Sequence, residues 1–226
     1  MHLGDAIARP CAQARRTVEL TIRVGALAAA LGVDSRFVPA AQADVDLLHA
    51  YRLLVHAEIE NFIENLASTV VDTTENLFRN GTLTHAGHHL YVGWSISRQS
   101  KKPFKARYPM FDAAEATAAL GSDYSRLAPA LEQHRGRIAT NNGIKEANVR
   151  TLMMPIGCRE NFYAPGLLSQ LTDFGTDRGA AAHSSGIVAA AQWPTGSSEI
   201  VRARTVIKGL DLLERYIARL LTPVSI

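Results

Sequence analysis

The sequence predicts an all-α protein, and three observations lead to that prediction. Apolar residues recur at intervals of three and four over several long stretches, which is the period of an amphipathic helix. Alanine, the residue with the highest helix propensity, is abundant, and only 7% of the 226 residues are aromatic. Short segments containing Gly, Pro or Asn join the stretches. We therefore expect a bundle of about five or six helices.

Residues 1–43 show no strong period, and we assign them to an N-terminal extension. One short helix is expected there, around Thr17–Leu31, and Gly32 is expected to end it. The remainder, residues 44–226, is predicted to form the helical domain.

The clearest pattern lies in residues 44–79 and predicts one long helix. Asp44 and Asp46 favour its N-terminus because acidic side chains interact well with the positive end of the helix dipole. Asn80–Gly81 is a favourable C-terminal stop. The apolar face of this helix consists of Leu47, Tyr51, Leu54, Val55, Ile59, Phe62, Ile63, Leu66 and Val70.

Residues 82–123 are less regular. Apolar residues alternate between Leu90 and Ile96, which fits either a short strand or a buried turn of helix. A run of cations without an acid follows, and Pro103 and Pro109 make it an irregular basic insertion. The run contains Arg98, Lys101, Lys102, Lys105 and Arg107, with Phe104 and Tyr108 between them.

Five further helices are expected in the second half of the chain. Pro165 suits a first helical turn, and Gly175 is expected to end the helix that begins there. Thr176 is then a favourable N-cap for the next helix. The expected helices cover 124–139, 145–153, about 165–175, 177–187 and about 198–221.

The net charge and the cysteine content exclude few classes of function. A formal net charge of +3 permits an anionic partner without requiring one. Cys11 and Cys158 are far apart and have no metal-binding spacing, so we expect two reduced thiols in a cytoplasmic protein. No apolar run approaches the roughly 18 residues that a membrane span needs, so no membrane association is expected.

Known cofactor and metal motifs are absent from the sequence. It contains no phosphate-binding GxxxxGK[ST], no GxGxxG, no HExxH and no GxSxG. His85, His88 and His89 cluster, but no carboxylate or cysteine partner is near them in sequence, so we expect surface histidines rather than a metal site. We therefore expect no cofactor and no metal.

The segment from Arg178 to His183 combines two groups that suit RNA cleavage. Five residues at about 100° each set the side chains about 140° apart, so they flank a groove rather than share a face. The small residues Gly179 to Ala182 between them allow close approach of a second helix or an RNA backbone. An exposed helix N-terminus, expected at Thr176, also favours phosphate.

A histidine with a pKa near neutrality can take the proton of a 2′-hydroxyl or protonate the leaving 5′-oxygen. An arginine can hold the phosphate and stabilise its transition-state charge. No metal is needed, DNA is not cut, and the product is a 2′,3′-cyclic phosphate. The alternative is a purely structural role, in which Arg178 pairs with Asp173 or Asp177 and His183 caps a helix or packs against its neighbours.

Three segments carry a resemblance to a known family. Residues 178–183 resemble the R-x4-6-H motif of the HEPN superfamily. Residues 54–63 (LVHAEIENFI) resemble the first long helix of its RiboL-PSP-HEPN group, and residues 141–148 (NNGIKEAN) resemble the segment ahead of its motif helix. The resemblance covers roughly residues 44–221.

The resemblance implies a helical bundle that forms a homodimer through the motif helix, with two Arg178–His183 pairs lining one cleft. It implies a metal-independent endoribonuclease in a toxin–antitoxin or phage-defence setting, with an antitoxin or nucleotidyltransferase-like partner. Other members only bind RNA or nucleotides. Gly179 stands where the family often has a polar residue, which favours this non-catalytic alternative. A third interpretation is a helical interaction protein without nucleic-acid affinity.

Further RNA contacts are expected in the basic insertion, at Lys101, Lys102, Lys105 and Arg107, and at Asp177 beside the motif. Cations with interleaved aromatic residues suit a phosphate backbone and unpaired bases, although a solvated basic loop has the same composition. Lys145 and Arg150 are further candidates that nothing in the sequence selects. We expect His56 to be packed or at the surface rather than catalytic.

Overall fold

The structure is a computed structural model that describes residues 16–99, 120–183 and 195–224, except for the side chains of residues 42, 97–99 and 179–183. The regular secondary structure of these residues is helical, with no strand among them, so the predicted all-α class is confirmed. The seven α-helices are α1 (Arg16–Ala30), α2 (Gln42–Arg79), α3 (His85–Gln99), α4 (Tyr124–Ala139), α5 (Glu146–Met153), α6 (Leu167–His183) and α7 (Gly196–Leu220).

The chain divides into two compact units that do not follow the order of the sequence. Unit 1 comprises residues up to Ile63, Gly143–Val149 and Asn161–Arg215. It contains α1, the first part of α2, the start of α5, all of α6 and most of α7. Its core is formed by fully buried side chains that include Tyr51, Val55, Ile59, Leu171, Phe174, Val206 and Leu210.

Unit 2 comprises Glu64–Asn142, Arg150–Glu160 and the chain from Tyr216 onwards. Helices α3 and α4 pack against each other in it. The C-terminal segment is tied to the start of α3 by hydrogen bonds from the Val224 amide to the Leu83 carbonyl and from the His85 amide to the Thr222 carbonyl. The core of this unit includes Leu66, Val70, Leu127, Leu131 and Ile217.

The long first helix of the predicted domain is confirmed. Helix α2 covers Gln42–Arg79, and Gly81 follows it with a φ of 80°. The amide of Gly81 donates to the Phe78 carbonyl and that of Thr82 to the Leu77 carbonyl. These two bonds define a Schellman motif, for which glycine is favoured because it adopts the left-handed conformation without a Cβ clash.

The N-terminal helix also forms as expected. Helix α1 covers Arg16–Ala30, and Gly32 has a φ of 65°. Its buried face includes Leu20 and Val24. The backbone amide and hydroxyl of Thr17 both donate to the Glu214 carboxylate, which fixes the start of α1 within unit 1.

Two predictions for local structure need correction. The alternating segment Leu90–Ile96 is neither a strand nor a single turn, because it lies within α3. The predicted break at Gly175 and Thr176 does not exist, because α6 runs without interruption from Leu167 to His183. Thr176 is not an N-cap; its hydroxyl donates to the carbonyl of Thr172 one turn earlier, at 2.8 Å.

Gly175 has a packing role within α6. Gly175 is buried, and a Cβ atom at this position would lie 3.0 Å from Cγ of Lys145. A side chain there would therefore press against the Lys145 stem. This glycine allows close packing within a helix rather than ending one, and the Thr176 helix N-terminus invoked for phosphate binding is absent.

Candidate functional site

The central turn of α6, residues 174–178, is held by contacts on either side. The ring of Phe174 is 1% exposed and stacks against His56 of α2, with centroids 6.4 Å apart and an interplanar angle of 26°. The guanidinium carbon of Arg202 on α7 lies 5.0 Å from the centre of the same ring. Aromatic stacking and a cation–π contact thus both act on one buried side chain.

Ion pairs neutralise two arginines beside this turn. Arg202 Nη1 donates to Asp177 Oδ2 at 2.5 Å. Arg52 makes two hydrogen bonds to the Glu199 carboxylate, at 3.0 and 2.6 Å, and both side chains are largely buried. Two-pronged pairing of this kind is the strongest geometry for a guanidinium and a carboxylate.

The Glu199 carboxylate also acts on Tyr51. Burial raises the pKa of the Tyr51 phenol to about 12, and the negative charge of Glu199 contributes in the same direction. Tyr51 is therefore neutral at physiological pH. It packs in the core of unit 1 and is not available as a general acid or base.

Arg178 differs from its arginine neighbours. Its side chain is exposed, and it makes no ion pair with any residue in the part of the chain that the structure describes. The alternative in which Arg178 pairs with Asp177 is not found among the described residues, where Asp177 Oδ2 accepts from Arg202 instead. A pairing with Asp173 is likewise absent among the described residues. Within the described part of the chain, no carboxylate neutralises this exposed guanidinium.

His56 is packed, which agrees with the expectation that it is not a catalyst. Its side chain is 2% exposed. Burial, together with the positive charge of Arg178, lowers the pKa of His56 to about 4. Its Nδ1 lies 3.7 Å from a carboxylate oxygen of Glu60. At neutral pH the imidazole is uncharged, so it adds no positive charge beside Arg178.

The segment ahead of α5 docks on the same part of α6. Ile144 is fully buried, and the amide of Glu146 donates to the hydroxyl of Thr172 at 3.0 Å. Between them, Lys145 lays its aliphatic stem over Gly175. The structure thus brings together residues 145 and 175–178, which the sequence analysis did not connect.

The second member of the motif, His183, is the last residue of α6. Its side chain lies outside the described residues. Because one α-helix contains both positions, the Cα atoms of Arg178 and His183 are separated by about 7.5 Å along the axis and about 140° around it.

The other predicted RNA contacts have different outcomes. Lys101, Lys102, Lys105 and Arg107 lie outside the described residues. Asp177 is bonded to Arg202, and its contact with RNA stays a prediction. Arg150 is not a free cation, because it forms two hydrogen bonds with Glu160, at 2.6 and 2.7 Å.

The histidine cluster of unit 2 is not wholly at the surface, contrary to expectation. His85 is exposed, but His88 is 8% exposed and His89 is half-buried. Burial lowers the pKa of His89 to about 4 and also lowers that of His88. Among the described residues, no group of three or more His, Cys, Asp or Glu side chains could hold a metal ion.

Burial raises the pKa of the Cys158 thiol to about 12, so this cysteine is an unreactive core residue. Cys11 lies outside the described residues. None of the described helices combines the length and the apolar character needed to cross a bilayer.

Comparison with known proteins adds no relative: no family model, no curated protein and no solved structure matches this chain.

Proposed function

We propose that this chain is a HEPN-type domain that acts as a metal-independent endoribonuclease, with Arg178 and His183 as its catalytic pair. One observation carries the proposal. Arg178 is exposed and without an ion pair among the described residues, whereas Arg52 and Arg202 beside it are both neutralised by carboxylates. An exposed arginine without an ion pair is suited to bind a phosphate.

The reaction needs only the RNA and this pair. The 2′-oxygen attacks the adjacent phosphorus and loses its proton to the neutral imidazole of His183. The new P–O2′ bond replaces the P–O5′ bond, and the leaving 5′-oxygen takes up a proton from an imidazolium. Arg178 stabilises the charge that accumulates on the phosphoryl oxygens. The products are a 2′,3′-cyclic phosphate and a 5′-hydroxyl.

The proposal includes a homodimer formed through α6, in which two Arg178–His183 pairs line one cleft. The exposed side of α6 at Arg178 and the small residues Gly179 to Ala182 support close approach of a second copy. We place the protein in the cytoplasm, in a toxin–antitoxin or phage-defence setting, with an antitoxin or nucleotidyltransferase-like protein as its regulator.

The test is incubation of the purified protein with end-labelled single-stranded RNA and with tRNA in EDTA. The wild type is expected to cut both the single-stranded RNA and the tRNA and to leave cyclic-phosphate ends. His183→Ala and Arg178→Ala are each expected to lower the rate roughly 100-fold or more. His85→Ala and Arg36→Ala change an exposed histidine and an exposed arginine elsewhere and serve as matched controls.

Each outcome decides between functions. Cutting by His183→Ala at the wild-type rate would exclude the catalytic assignment, and loss of cutting in EDTA would indicate a metal enzyme. A mobility shift without cutting, by wild type and His183→Ala alike, would favour the non-catalytic RNA-binding module that Gly179 suggests. Neither cutting nor binding would favour the helical interaction protein.

A further inference from the structure

Lys145 is the second exposed cation at the motif helix. Its side chain is exposed and makes no ion pair within the described part of the chain. Its backbone is held on both sides, because Ile144 is fully buried and the Glu146 amide is bonded to Thr172 on α6. The carbonyl of Lys145 accepts from the Val149 amide at 3.1 Å, which anchors it at the start of α5.

The stem of Lys145 crosses α6 at Gly175. A Cβ atom on Gly175 would lie 3.0 Å from Lys145 Cγ, which is closer than nearly all real Cβ contacts. The lack of a side chain at position 175 therefore sets the path of the lysine. Residues three apart on a helix are neighbours on its surface. Lys145 thus crosses the helix one turn before Arg178.

Two further arginines, one close to Lys145 in sequence and one in contact with Phe174 of α6, are neutralised. Arg150, four residues after Glu146 on α5, is bonded to Glu160, and Arg202 is bonded to Asp177. The structure therefore distinguishes Lys145, which is without an ion pair among the described residues, from Arg150, which has one. The sequence could not make this distinction. Lys145 and Arg178 thus remain as two exposed cations that make no ion pair in the described part of the chain, about one turn of α6 apart.

We propose that Lys145 binds the RNA phosphate next to the one that Arg178 holds. This inference rests on the proposed function and adds a substrate contact to it. The two cations would track successive phosphates of a single strand across α6, with Arg178 at the scissile group and Lys145 at its neighbour. A lysine suits the second position because a flexible point charge follows a backbone phosphate without demanding one orientation.

The experiment measures binding without cleavage. All variants carry His183→Ala, and the affinity for a fluorescently labelled single-stranded RNA is followed by anisotropy in EDTA from about 50 to 200 mM salt. Lys145→Gln is expected to weaken binding roughly fivefold at low salt and to lower the slope of log affinity against log salt by about 0.7. Lys208→Gln removes an exposed lysine of α7 and is expected to leave both quantities unchanged.

Two further variants separate a phosphate contact from a structural effect. Lys145→Arg keeps the charge and is expected to keep the salt slope. Gly175→Ala displaces the Lys145 stem and is expected to weaken binding while α6 remains helical by circular dichroism. These results would show that RNA binding depends on the charge of Lys145 and on the position of its side chain over Gly175.

An unchanged salt slope in Lys145→Gln, in a background that still binds RNA, overturns this inference and leaves the proposed ribonuclease intact. Absence of RNA binding in the His183→Ala background, together with absence of cutting by the wild type, overturns both. An equal loss in Lys145→Gln and Lys208→Gln also overturns the inference, because it would indicate diffuse attraction to positive charge.

Discussion

Arg202 Nη1 lies 2.5 Å from Oδ2 of Asp177, the residue immediately before Arg178. The pair joins the last helix to the centre of the motif helix. Asp177 thus pairs with Arg202, and the neighbouring Arg178 guanidinium makes no ion pair among the described residues. An exposed arginine without an ion pair in the described part of the chain is the feature on which the proposed RNA cleavage depends.

The Asp177–Arg202 pair is expected to be coupled but weak. The two side chains are 42% and 25% exposed, so water screens their attraction. A double-mutant cycle with Asp177→Ala and Arg202→Ala should give a coupling free energy of about 0.5–1 kcal/mol, which falls in 1 M salt. Urea denaturation of the four proteins measures it. Strict additivity at low salt would show that the pair does not tie α7 to α6.

The Arg52–Glu199 pair is expected to contribute far more. Its side chains are only 12% and 4% exposed. Glu199→Ala leaves the Arg52 charge buried without a partner and should lower the free energy of unfolding by about 3 kcal/mol. Arg36→Ala removes the guanidinium of the exposed Arg36–Asp34 pair, with 91% and 59% exposure, and should change the free energy of unfolding by less than about 0.5 kcal/mol. Comparable losses in both variants would contradict this ranking.

His134 is expected to make the protein sensitive to acid. It is fully buried, and neither ring nitrogen has a hydrogen-bond partner among the described residues. Burial lowers its pKa from 6.5 to about 4, and the charge of Arg137 contributes. Its folded pKa lies below its unfolded pKa, so its contribution is intact above pH 6.5 and is lost as the pH falls towards 4.

The loss attributable to His134 is about 2 kcal/mol between pH 7 and pH 4.5. His134→Leu should remove that part of the pH dependence, and at pH 7 it should not destabilise the protein, because an unsatisfied polar group is replaced by an apolar one. Chemical denaturation at the two pH values provides the measurement. Identical pH dependence in wild type and variant would show that His134 titrates normally.

Two glycines are expected to respond in opposite ways to alanine. A Cβ atom on Gly196 would overlap the backbone carbonyl oxygen of Asp34, and a backbone atom cannot move aside as a side chain can. Gly196→Ala should therefore cost about 1–3 kcal/mol of stability. Gly136 lies exposed in α4 with nothing within 4 Å of the added atom, so Gly136→Ala should stabilise the protein by about 0.5–1 kcal/mol. Thermal unfolding of both variants checks the signs.

Local patterns predicted much of the helical structure. The helices expected at 44–79, 124–139, 145–153 and 198–221 are confirmed to within two residues. These helices depend on hydrogen bonds between residues four apart and on an apolar face with a period of about 3.6 residues. Both features are local, so a short stretch of sequence is enough to predict them. The incorrect prediction of a helix end at Gly175 arose because a contact between residues distant in sequence decides the role of this glycine. Read locally, a glycine before a threonine is a helix end, but here the glycine makes room for Lys145.

By itself, the sequence determined the all-α class, most helix boundaries and the Arg178–His183 motif. The tertiary structure alone decided which cations near that motif are neutralised. Arg52 and Glu199 are 147 residues apart, and Arg202 and Asp177 are 25 apart. Helical periodicity carries no information about such pairs, because they form only when separate helices pack together. The same packing buries His56, selects Lys145 over Arg150, and leaves Arg178 exposed for an anion.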